Sequence, residues 1–136
     1  MLELTSKTGT AKAKQEAVFN FVSDFRNFSR LLPEERLNDM EITGDTMKFS
    51  IAGLGEIGLK IGERHPYSQL IINAIEGTSA DFTFWINIAE SVGNTSQVQI
   101  VLQARLNMFI EMMAKGPLQQ FLDLMADKLE TIQFDA

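Results

Sequence analysis

A chain of 136 residues matches the size of one domain, large enough to bury about two thirds of its unfolded surface without staples. With no Cys and a single His, it lacks the ligands for a structural zinc site, a thiol nucleophile or a disulfide framework. A net charge of −6 with 12 scattered basic residues leaves nothing from which to build a phosphate-tracking surface, so neither nucleic acid nor an anionic membrane is an expected partner.

Residues 2–12 alternate loosely and are rich in Ser and Thr, which predicts a first strand. The period then changes. Val18, Phe21, Val22 and Phe25 recur at helical spacing within residues 15–25, and a second short helix over residues 26–32 is stopped by Pro33. The polar run PEERLND reads as a connection. From Met40 to Asn107 the period is two, interrupted by turn signals at residues 44–45, 53–55, 65–66, 76–77 and 92–94, which predicts a meander of about six strands. The two clearest strands carry Phe82, Phe84, Ile86 and Ile88, then Val98, Ile100, Leu102, Ala104 and Leu106, on one apolar face. Gly116-Pro117 marks the expected start of a last helix, because Pro is tolerated at a first helical position. Leu118, Phe121, Leu122, Met125, Leu129 and Ile132 then form its buried stripe.

Within the meander, Gly53-Leu54-Gly55-Glu56-Ile57-Gly58 matches the GxGxxG dinucleotide fingerprint. That fingerprint needs a helix immediately after it, whose free N–H groups hold the pyrophosphate. Here Ile57, Leu59 and Ile61 alternate instead, and Gly62 would weaken any helix, so the glycines are expected in a hairpin and no nucleotide cofactor is expected. The N-terminus has no apolar signal core and no run approaches the roughly 18 residues that cross a bilayer, so a cytoplasmic protein without stable membrane insertion is expected.

These elements make an α+β domain over residues 1–136: two short helices after strand 1, a seven-stranded antiparallel sheet and a long C-terminal helix. Seven strands at about 4.8 Å span roughly 30 Å, whereas a helix is only about 10–12 Å across. The sheet is therefore expected to curve around the helix and enclose apolar space. The segments FVSDFRNFSRLLP (21–33) and MMAKGPLQQFLDLMADKLE (112–130), and the element order of the whole chain, resemble the START-like helix-grip superfamily, also called SRPBCC. That resemblance implies a hydrophobic cavity between sheet and helix. The superfamily includes lipid carriers, pollen-allergen-like proteins and polyketide cyclases, with no shared catalytic motif.

Inward parity nominates Phe49, Ile51, Leu59, Ile61, Phe82, Phe84, Ile86, Ile100, Leu102 and Ala104 as cavity lining, joined by Phe121 and Met125 from the last helix. Each of these would equally serve as plain core. Met108, Met112 and Met113, beside Phe109 and Ile110, form a thioether patch suited to a pocket entrance or a promiscuous contact, or equally to a core cap or a homodimer surface. Glu63 and His65 share the parity of Ile61, so in an unbulged strand both would face inward as an acid–base pair. Three functions are open: a carrier or sensor of a small apolar molecule such as a lipid, isoprenoid or polyketide-like compound; a cyclase or dehydratase using Glu63 and His65; or an interaction module with a filled interior. No metal and no cofactor is expected in any of them.

Overall fold

The computed structural model describes residues 1–33, 37–51, 55–75 and 81–134. In chain order these form β1 (Leu2–Thr5), β2 (Gly9–Ala11), α1 (Gln15–Val22), α2 (Phe25–Phe28) with a 3-10 turn at Ser29–Leu31, β3 (Leu37–Ile42), β4 (Thr46–Ile51), β5 (Gly55–His65), β6 (Gln69–Ala74), β7 (Asp81–Glu90), β8 (Ser96–Arg105) and α3 (Met108–Thr131). All pairings are antiparallel, in the order β1-β8-β7-β6-β5-β4-β3, with β2 also on β8. The expected first strand is thus present in two pieces at one position of a seven-position sheet.

Ser6 explains the break. Its N–H donates to the Ile100 carbonyl at 2.8 Å, while its Oγ accepts from the Ile100 N–H at 2.9 Å, so the hydroxyl replaces a ladder carbonyl where the strand bends away. The edge made by β1 and β2 is covered by α3. The Lys7 N–H donates to Asp123 Oδ1 at 2.8 Å and the Thr10 N–H to Glu130 Oε2 at 3.0 Å, so helix carboxylates satisfy edge amides that would otherwise invite another strand. Gly9 lets the two elements touch: a Cβ there would sit 2.6 Å from the Ala126 carbonyl oxygen.

Two predicted boundaries move. The first helix ends at Val22, because Asp24 takes the N-cap of α2, its carboxylate accepting from the Arg26 N–H at 3.0 Å. Arg26 also donates from its guanidinium to the same carboxylate, and this hydrogen bond, with the backbone bond and the charge itself, holds Asp24 below the usual Asp range against the opposing effect of burial. More consequentially, α3 begins at Met108, two turns before Gly116-Pro117. Asn107 caps it, its Oδ1 accepting from the Ile110 N–H at 2.9 Å, and the buried side chains of Ala114 and Leu118 flank the Gly-Pro pair, so the helix runs through a proline whose N–H is missing from its ladder. Residues 37–39, expected as connection, belong to β3.

The glycine fingerprint resolves as expected for the residues described. Gly55 has φ +85° and opens β5, which pairs with β4 in register Phe49↔Ile57 and Met47↔Leu59. A strand, not a helix, comes after it. Gly53 lies outside the described residues.

Candidate functional site

The concave face of the sheet is built by alternation. Phe49 and Ile51 on β4, Ile57 on β5, Phe82 and Phe84 on β7 and Leu102 on β8 point toward α3, which answers with Leu118, Phe121 and Leu122. Between them lies a void of about 20 Å³, partly open and bounded only by apolar side chains. That is room for about one water, and with no polar partner in its wall the space is dry. Phe82 and Phe84, with ring centroids 6.2 Å apart and planes 22° from parallel, occupy much of the sheet side. Aromatic side chains of the chain itself have taken most of the space that curvature creates.

No group in this lining can titrate or donate a hydrogen bond. Among the described residues, no buried side-chain nitrogen or oxygen lacks a partner, and no cluster of His, Cys, Asp or Glu has metal-binding geometry. The lining side chains offer apolar contact and no charge, donor or acceptor.

Six of the twelve parity-nominated residues line it: Phe49, Ile51, Phe82, Phe84, Leu102 and Phe121. Leu59, Ile86, Ile100, Ala104 and Met125 are buried core packed elsewhere, and Ile61 is half-buried. Three lining residues, Ile57, Leu118 and Leu122, are not among the nominated twelve. Ile57 shares the parity of Leu59, and Leu118 and Leu122 belong to the buried helical stripe, so the signal is present but does not say which end of sheet and helix meet at the void.

Two expectations are corrected. Glu63 and His65 do not face inward. Ile61 pairs with Ile72, yet Arg64, not Glu63, pairs with Leu70, so one extra residue is accommodated in β5 beside Gly62 and the parity reverses. His65 then lies opposite Gln69, and its Nε2 meets Glu63 Oε2 at 3.0 Å with the two side chains 51% and 69% exposed. This is a solvated surface pair, away from the void. Met108 and Met112 also fall outside the lining: they stand 79% and 77% exposed on the first turns of α3, with Phe109 at 73% and Met113 at 65%. The displaced helix start accounts for this, since the patch lies on the helix rather than before it.

A second depression, of about 650 Å³, opens beside α1 and past the end of α3, and shares no residue with the void. Its wall is mixed, including Lys12, Lys14, Glu16, Arg30 and Phe134.

Among the described residues no helix is long and apolar enough to cross a membrane. No family model and no curated protein matches the chain. Solved structures do match. The protein XoxI from Bacillus cereus superposes with a TM-score of 0.73 at 13% identity, over 96% of this chain and 94% of that one. A START superfamily protein from Mycobacterium smegmatis gives 0.66 at 12% identity, over 96% and 99%. Norcoclaurine synthase from Thalictrum flavum, solved in complex with dopamine and hydroxybenzaldehyde, gives 0.66 at 12% identity, over 98% and 90%. With a long carboxyl-terminal helix packed on an antiparallel sheet and a likeness to these structures along nearly its full length, this chain has a START-like helix-grip fold.

Proposed function

We propose that the chain binds a small, wholly apolar molecule or hydrocarbon chain between the sheet and α3, as a carrier or sensor rather than an enzyme. The observation that carries this reading is the position and chemistry of the void: it lies between the sheet and the last helix, where the START-like resemblance implies a cavity, and its wall is entirely apolar. At about 20 Å³ it is smaller than any such ligand, which would enter by displacing its walls. The wall best placed to move is α3. Leu118, Phe121 and Leu122 come directly after Gly116-Pro117, where the helix ladder lacks a donor and where a Cβ on Gly116 would meet nothing within 4 Å. Burying about 300 Å² of hydrocarbon there contributes about 7.5 kcal/mol at ~25 cal/mol per Å² before the cost of association, so affinity depends on how easily those walls yield.

The test is uptake. Mass spectrometry of an organic extract of the purified protein, and titration with an apolar fluorescent probe, are expected to reveal a bound apolar compound. Phe121→Ala, which widens the void, is expected to raise probe affinity severalfold, and Leu118→Trp, which fills it, to abolish uptake. An empty extract together with no probe binding by the wild type or Phe121→Ala sinks this reading.

A second reading, an interaction module that uses the exposed Met108, Phe109, Met112 and Met113, is favoured by those four large apolar side chains sharing two helical turns in solvent. A homodimer through that surface predicts a concentration-dependent mass by sedimentation that Met112→Glu reduces to the monomer. Unchanged monomer for both proteins removes it.

A further inference from the structure

We infer that the depression of about 650 Å³ beside α1 is a binding site for a small aromatic anion, a flat ring bearing a carboxylate or phosphate. Its volume falls within the roughly 300–1,000 Å³ of small-molecule sites. Its charge runs against the rest of the chain. In a protein of net charge −6, this concavity gathers, among the described residues, Lys12, Lys14 and Arg30 against the carboxylate of Glu16. Four of the other cations are engaged, Lys7 with Asp127, Arg26 with Asp24, Arg105 with Asp81, and Lys128 with the Leu32 carbonyl, while Lys48, Lys60, Arg64 and Lys115 lie outside the groove. Among the described residues no carboxylate makes an ion pair with Lys12, Lys14 or Arg30.

The aromatic half of the specificity comes from Phe21 and Phe134. Phe21 and Phe134 pack edge to face, with centroids 5.1 Å apart and planes at 75°, and the Arg30 guanidinium carbon sits 5.5 Å from the Phe21 centroid. Stacking on Phe21 holds the guanidinium in place at the groove wall, where it can meet an anion as a bidentate donor. Asn20, Asn27 and Gln133 add neutral donors and acceptors around the rim. A ring laid against the half-buried Phe134, with its anionic group turned to Arg30 and the two lysines, uses the aromatic, the cationic and the neutral polar groups together. Plain inorganic anions use only one of them.

Titration of the full chain with benzoate at low salt, monitored by amide chemical shifts, tests the assignment. Saturable shifts are expected at residues 12–17, 30 and 133–134, with neutral benzamide and ring-free acetate binding at least tenfold more weakly. Phenyl phosphate run in parallel identifies which anionic group is preferred. The double variant Lys14→Gln/Arg30→Gln is expected to lose at least tenfold in affinity while Lys48→Gln, outside the groove, loses nothing; the amide spectrum of each variant reports its fold directly. Equal binding of benzamide, shifts confined to other residues, undiminished affinity in the double variant, or no binding of either aromatic anion would each overturn it.

Discussion

The two halves of α3 are similarly rich in apolar residues and spend them in opposite ways. From Leu118 to Leu129 the helix buries Leu118, Phe121, Leu122, Met125, Ala126 and Leu129 against the sheet, and its carboxylates stitch the β1–β2 edge. From Met108 to Met113 it turns Met108, Phe109, Met112 and Met113 outward, and between residues 108 and 113 no side chain is fully buried. One half is scaffold and the other is surface, and the joint between them is Gly116-Pro117 beside the void. Hydrophobicity alone does not distinguish them; contact with the sheet does.

That contrast can be broken most severely in the packed half. Leu122→Ala removes a side chain with no exposure from the wall of the void and is expected to cost about 3–4 kcal/mol by denaturant unfolding, whereas Met112→Ala in the outward half should stay within about 0.5 kcal/mol. Similar losses at the two sites would mean that the outward half is not the free surface described. Next in size, Gly9→Ala drives a methyl against the Ala126 backbone carbonyl and is expected to cost about 1–3 kcal/mol, measured the same way. A neutral outcome would show that β2 and α3 do not approach so closely.

Asp24→Ala removes the α2 cap and is expected to cost about 1 kcal/mol at neutral pH. Because its folded-state pKa is lowered by the Arg26 hydrogen bonds, the contribution is complete above the unfolded-state value of 3.8 and is lost as pH falls through the lowered folded-state value. The difference between wild type and Asp24→Ala should therefore shrink on acidification and not on raising the pH. The smallest effect sharpens the joint itself. Gly116→Ala places a methyl in open space within a helix and is expected to stabilise by about 0.5–1 kcal/mol, while slowing probe uptake if α3 moves there. A destabilised Gly116→Ala variant would contradict the open placement of that position.

How much of the molecule is legible in its sequence depends on the range of the physics involved. Alternation along Phe82–Ile88 and Val98–Leu106 reports a half-buried sheet because side-chain parity is local, and the strip from Leu118 to Leu129 reports a packed helix for the same reason. The glycine fingerprint fails on local grounds too, since Ile57, Leu59 and Ile61 alternate along a strand where a phosphate site needs a helix. The start of α3 is hidden because Gly116-Pro117, a strong breaker that tertiary packing carries within the helix, outweighs the Asn107 cap. Glu63 and His65 are displaced by one residue's irregularity in β5, invisible to a count of two, which turns a would-be acid–base pair into solvent.

The chain by itself therefore determined the order of elements and the apolar face that lines its interior, both of which arise from periods of two and 3.6 residues, and pointed to the helix-grip architecture through its resemblance to the START-like superfamily. Tertiary structure alone decided how much of that interior stays empty, which apolar residues of α3 remain in water, and that Lys12, Lys14, Arg30 and Phe134, more than a hundred residues apart at the extremes, share one wall. Empty volume is a small remainder after many side chains have packed, and a groove is a meeting of distant segments, so neither is carried by any local pattern.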